Sequence, residues 1–190
     1  MSEDADAPEE LVWEGRFIAA KRRGKWEYVS RTRGVSAAVI LAIEEGHVLL
    51  VEQFRAPLQS RCLELPAGLI GDDAEGEGAE SAAIRELEEE TGYRAERMVD
   101  LGRFYASPGM SSEGFTLLRA EGLTRIGEGG GVEGEDITVH AVPRREAPAW
   151  LVQKQREGYE LDLKLWAGLW MLEREPDGTP LRSGSLLSQG

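Results

Sequence analysis

The chain of 190 residues has a single cysteine, Cys62, so no disulfide can close within it. With Leu63 and Leu65 beside it, Cys62 reads as a small buried hydrophobe in a strand. The two histidines, His47 and His140, do not make a zinc site without cysteine partners. Basic residues are few: 22 Lys and Arg against 35 Asp and Glu leave a net charge of −13. Such an acidic chain is a poor candidate for binding a nucleic-acid backbone, which needs Lys/Arg patches. If its substrate is an anion, cations must stand between the two. No apolar run approaches the roughly 18–20 residues of a membrane span. The opening MSEDADAPEE is acidic and polar, unlike a secretory signal. The expectation is a cytoplasmic protein that binds neither nucleic acid nor membrane.

What is present is enough for a core: 41% apolar residues, five Trp among them. Residues 1–10 carry no periodicity and are expected to be disordered. Residues 11–34 read as a small subdomain of two strands around a Gly24 turn. Residues 35–174 form the main domain, and 175–190 a flexible tail. Within the main domain, VSAAVILAI and HVLLVEQF are strands joined by a tight EEG turn. RCLELPAGLI is one further strand, ended by Pro66 and Gly68. GDDAEGEGAE is a loop leading into the helix SAAIRELEEET, which Gly92 stops. RMVDLGRFYAS, GFTLLRAEGL and ITVHAVP are strands. APAWLVQKQREG is a helix ending at Gly158, and YELDLKLWAGLWMLERE is a second one. That last helix is apolar nearly all round, which predicts burial in the core or at a dimer interface. The fold class is α/β (α+β): a sandwich built on a mixed sheet, with an N-terminal antiparallel strand subdomain.

The segment IRELEEETGY concentrates charge. Like charges one turn apart destabilise a helix by about 0.2–0.5 kcal/mol per pair. At roughly 100° per residue, Glu86, Glu89 and Glu90 share one face. Ala83, Ile84, Leu87 and Thr91 form the opposite, core-facing side, and Glu88 stands apart. Converging carboxylates suit a hard divalent cation such as Mg²⁺; from helical spacing alone, a solvated acidic face is the alternative. Arg85 lies beside them and can orient one through a charge-assisted hydrogen bond.

The flanks extend the pattern. GDDAEGEGAESAAIRELEEETGY fits G-x5-E-x7-R-E-U-x-E-E-x-G-U at Gly71, Glu77, Arg85, Glu86, Leu87, Glu89, Glu90, Gly92 and Tyr93. This resembles the Nudix box, the signature of hydrolases that cleave a nucleoside diphosphate linked to another moiety. The resemblance implies a loop-helix-loop on an α/β/α sandwich. It also implies Mg²⁺ or Mn²⁺ held by Glu86 and Glu90, with Glu89 sharing a second ion, Glu77 in support and the Ala67 carbonyl as a further ligand. One departure stands out: PAG, which usually supplies the box's first glycine, ends at Gly68, three residues before Gly71. Either the loop carries an insertion or the match at Gly71 is fortuitous.

Features outside the box resemble the ADP-ribose pyrophosphatase subgroup. FYASPGMSSE contains its characteristic proline loop, here Pro108, Gly109 and Met110, with Glu113 following. VEQFRAPL and RCLELPAG supply Arg55 and Glu64 near the expected diphosphate. EGEDITVHAVP resembles the segment that brings a ligand or general base after a mobile loop. Glu135 is the better ligand and Glu133 the better base, with their roles interchangeable, and Gly129–Gly131 make the lid. SRTRGVSAAVI resembles a subdomain swapped between two subunits, with Arg33 reaching the partner's site. The resemblance thus implies a homodimer that hydrolyses ADP-ribose to AMP and ribose 5-phosphate. A GDP-mannose or UDP-sugar substrate, or a non-catalytic nucleotide-binding module of the same fold, are the alternatives.

Overall fold

The computed structural model describes residues 3–32, 35–70, 78–132 and 134–180. After a 3-10 turn at Glu3–Ala5, three strands form an antiparallel sheet of their own: β1 (Glu9–Glu14), β2 (Ile18–Arg23) and β3 (Trp26–Arg31). Three strands stand where a pair was expected, and Glu9 and Glu10 belong to the first of them. β1 pairs with β2, and Asp4 packs against the β2–β3 turn, where its carboxylate accepts from Lys25 N at 3.3 Å. Electrostatics recruits the acidic terminus: Lys21 and Arg23 meet Glu9, and Arg22 meets Glu10.

The main sheet follows with β4 (Ser36–Glu44), β5 (His47–Arg55), β6 (Ser60–Glu64) and β7 (Ala67–Ile70), then helix α1 (Ala79–Thr91). Next come β8 (Tyr93–Arg94), β9 (Arg97–Tyr105), β10 (Gly114–Glu121), β11 (Thr124–Arg125) and β12 (Thr138–Pro143). The chain closes with α2 (Ala147–Arg156), β13 (Glu160–Leu161) and α3 (Lys164–Met171). The sheet order is β13-β6-β5-β4-β10-β9, with β12 also on β5 and β7 also on β4. β10 runs parallel to β4 while β5 and β9 run antiparallel to their neighbours, so the sheet is mixed.

The apolar run of β4 explains why the sheet is covered on both faces. Side chains alternate along a strand. Val39 and Leu41 enter a core with Leu151 of α2 and Leu165 of α3, while Ala38, Ile40 and Ala42 enter a second with Ala83 and Leu87 of α1. A strand buried on both faces must be apolar at nearly every position. The β4–β5 turn uses positive φ at Glu45 (46°) and Gly46 (77°), the backbone of a tight two-residue hairpin.

Two further expectations are revised. RCLELPAGLI is not one strand: β6 pairs with β5, and β7 pairs with β4. Pro66 has no N–H to extend a ladder, and its carbonyl accepts from Ile40 N at 2.7 Å as the chain crosses over. The last helix is shorter than expected, because Glu160 and Leu161 pair in parallel with β6 and the Asp162 carboxylate, ahead of α3, accepts from Lys164 N. Leu165 and Met171 are buried, yet Leu163, Trp166 and Trp170 are exposed, with Arg174 lying over the Trp170 ring at 3.9 Å. No helix among the described residues is long and apolar enough to cross a membrane.

Candidate active site

α1 begins after Gly78 and ends at Gly92, whose φ of 75° is left-handed and whose N–H closes on the Glu88 carbonyl. Ala82, Ala83, Leu87 and Thr91 bury one side of it. The other side borders a cleft of about 530 Å³. Arg85, Glu86, Glu89 and Glu90 line it from α1, Ala67 and Gly68 from β7, Arg55 and Glu64 from β5 and β6, and Glu113 and Glu135 from the loops. Glu88 is outside, held by Arg94 at 2.5 and 2.9 Å.

Glu90 is only 5% exposed, and Ala67 N donates to its Oε2 at 3.0 Å. Burial pushes its carboxyl up to about 8; Glu86, Glu135 and Glu64 add to the rise, and the Ala67 bond opposes it. Glu86 is raised by burial too, with Arg85 opposing and Glu89 and Glu135 reinforcing. Arg85 stands 2.9 Å from Glu86 and 3.2 Å from Glu89, so it braces two of the three carboxylates. Arg55 makes a two-point contact with buried Glu64, at 2.5 and 2.8 Å. Arg31 meets Glu113 at 2.5 Å.

Glu86 lies directly over Gly68: a Cβ on Gly68 would stand 1.9 Å from Glu86 Cδ. PAG therefore supplies a glycine that the site needs, whatever its offset from Gly71. Gly68→Ala is expected to push the Glu86 carboxylate aside. Activity should fall about 100-fold, the scale of an ångström's misplacement, while the melting temperature moves by only about 2 °C, since a flexible side chain yields. Steady-state kinetics and a thermal melt on one preparation check both.

Among the described residues no three His, Cys, Asp or Glu side chains stand close enough to hold a metal ion as they are. The donor set still fits a hard divalent cation. Glutamates line one cleft, two of them are destabilised as anions by burial and by one another, and a cation would relieve that cost.

Gly129–Gly131 were expected to form a mobile lid. In this structure Gly130 N donates to the Glu90 carbonyl at 2.8 Å and Gly131 N to the Glu89 carbonyl at 3.0 Å, which holds the run against the end of α1. The last carbonyls of a helix lack intrahelical partners, and this loop satisfies them. Pro108, Gly109 and Met110 do not line the cleft; their loop pairs with β3, where Val29 N donates to the Met110 carbonyl at 2.9 Å. Arg33, Gly71, Glu77 and Glu133 lie outside the described residues. Among the cleft residues that sequence reasoning missed are Arg31, Gln53, Phe115 and Lys164. Alternation along β3 and β5 offers Arg31 and Gln53 as partners of neighbouring positions, but nothing local marks Lys164.

The site is thus a cleft in an α/β sandwich, bordered by a glutamate-rich helix and edged by arginines. The chain belongs to the NUDIX domain family, whose model matches residues 32–162; hydrolases of this family need a divalent metal. It is 41% identical over 93 residues to an ADP-ribose pyrophosphatase of Bacillus subtilis (strain 168), covering 49% of each chain. It is 37% identical over 141 residues to a GDP-mannose pyrophosphatase of Cronobacter sakazakii (strain ATCC BAA-894), covering 70% of each. The chain spans about half the length of the Bacillus protein and of other curated relatives it matches. A solved structure described as an ADP compounds hydrolase superposes with a TM-score of 0.60 at 21% identity, over 80% of this chain and 92% of that one, a likeness of fold.

Proposed function

We propose that the protein hydrolyses the diphosphate of a nucleoside diphosphate sugar, with ADP-ribose the preferred substrate, releasing AMP and ribose 5-phosphate. The observation that carries this reading is the cleft itself: Glu86, Glu89, Glu90 and Glu135 face it together with Arg31, Arg55, Arg85 and Lys164. Glu86, Glu89, Glu90, Glu135 and the Ala67 carbonyl would hold Mg²⁺, with Mn²⁺ as a substitute. When bound, it neutralises the diphosphate and polarises phosphorus. Glu133 or Glu135 takes the proton of the attacking water. Arg85 keeps Glu86 and Glu89 oriented, and Arg55, supported by Glu64, stabilises charge on the non-bridging oxygens. Arg33 and Glu113 contact substrate, with Gly71, Glu77 and Gly92 in support.

A homodimer in the cytoplasm belongs to the same reading. The N-terminal sheet and its neighbours expose Leu11, Trp13, Phe17 and Trp26, each more than half accessible, and clustered apolar exposure of this kind marks association surfaces. A monomer mass in solution would count against it.

The GDP-mannose pyrophosphatase relative keeps a second substrate class in view. Incubation of the protein and Mg²⁺ with ADP-ribose, GDP-mannose and a UDP-sugar in turn decides between them. ADP-ribose is expected to turn over fastest; faster hydrolysis of either alternative sinks the first choice.

A further inference from the structure

Behind the cleft lies an ion cluster that the proposed reaction does not use. Gln53, Arg55 and Glu64 face the cleft, whereas Glu52 and Arg61 occupy the alternate positions of β5 and β6, on the face that carries Leu63 into the α2 and α3 core. Glu52 is 7% exposed, and both its oxygens are engaged. His140 Nε2 stands 2.9 Å from Oε2, and Arg61 Nη1, buried and without a hydrogen bond of its own, pairs with Oε1 by charge at 3.4 Å. His140 in turn packs on Trp150 of α2, with ring centroids 5.2 Å apart. The other arm of Arg61, Nη2, donates to the carboxylate of Asp136.

Asp136 directly follows Glu135, which borders the cleft. The segment is therefore tied at two ends. On one side Gly130 and Gly131 bond to the α1 carbonyls, and on the other Arg61 grips Asp136. Between these ties Glu135 closes a turn: its N–H donates to the Val132 carbonyl at 3.0 Å, and its Oε2 accepts from Val132 N at 3.1 Å. The Asp136 side chain is 76% exposed. An ion pair with so exposed a partner adds about 0–1 kcal/mol to stability, so what the contact chiefly fixes is geometry.

We infer that Arg61 is a positioning residue: anchored by buried Glu52, it holds Asp136 and thereby sets where Glu135 stands in the cleft. The inference rests on the proposed part of Glu135 in diphosphate hydrolysis. Arg61→Met removes the tether from one end. Asp136→Asn weakens it from the exposed end, where folding is not at stake. In each variant amide hydrogen exchange at Glu135 and Asp136 is expected to quicken about tenfold, and kcat at saturating Mg²⁺ to drop about tenfold with KM unmoved. Arg61→Lys should regain most of the loss, and the double variant should be no worse than either single one. Unchanged exchange in both variants overturns the tether. Faster exchange with unchanged kcat overturns the positioning role, and losses that multiply in the double variant overturn the route through Asp136. If the wild type hydrolyses no nucleoside diphosphate sugar, the proposed function falls by itself, and the exchange rates alone uphold or overturn the tether.

Discussion

Glu90→Gln is expected to lower turnover by about 100-fold or more while leaving the metal-free protein at least as stable as the parent at pH 7. The two halves have one cause. Glu90 is buried beside other carboxylates, and its carboxyl is pushed up to about 8. A carboxyl raised above its unfolded value contributes stability that is complete below about pH 4 and lost as pH climbs through the folded value. The metal-free protein should therefore weaken from about pH 5 to pH 8, by an amount on the order of 3 kcal/mol at pH 7 for this group. Glutamine keeps an oxygen for Ala67 N and carries no charge, so the variant should lose this decline. If Glu90 is a ligand as proposed, a divalent ion such as Mg²⁺ would displace the proton, so its affinity should rise with pH up to about 8 and its binding should release acid. Melts across pH with and without Mg²⁺, beside kinetics, separate these effects. Near-normal activity in the variant removes Glu90 from the ligand set, and a flat melting profile in the parent removes the electrostatic account.

Gly129→Val is expected to destabilise the protein by about 3 kcal/mol, a large single-residue effect with a named backbone cause. Gly129 has a φ of 70°, and a Cβ there would lie 2.5 Å from the Thr91 carbonyl carbon and 2.6 Å from the Glu90 carbonyl oxygen. Unlike the contact of Gly68 with Glu86, this is backbone against backbone, and no side chain can swing away. Gly92 meets the loop from the other side, with a Cβ position 2.4 Å from the Gly127 carbonyl oxygen. Valine should pull the loop from the α1 carbonyls and carry Glu135 with it. Urea unfolding is expected to show a lower midpoint with an unchanged slope. A midpoint within error of the parent would mean that the loop packs elsewhere in solution.

The acidic helix was legible because its signals are local. Periodicity placed Leu87 in the core and Glu86, Glu89 and Glu90 away from it, and Gly92 marked the stop. The β4–β5 hairpin was legible for the same reason: a strand buried on both faces has to be apolar throughout. The crossing at Pro66 was not, since both halves of RCLELPAGLI are apolar, and only the availability of two different neighbours, β5 and β4, divides them. Nor was the strand at Glu9–Glu14, whose pairing depends on Lys21, Arg22 and Arg23 across the sheet.

By itself the sequence determined which helix carries the carboxylates and which residues flank it, because helical spacing is a property of adjacent positions. The tertiary structure alone decided that Arg31, Gln53, Phe115 and Lys164 share the cleft with them, that Glu88 leaves it for Arg94, and that the glycine run is pinned to the helix end. Those contacts join residues far apart in the chain. They are selected by which faces can be buried together and by which orphan carbonyls and charges find partners there, and no local spacing records that choice.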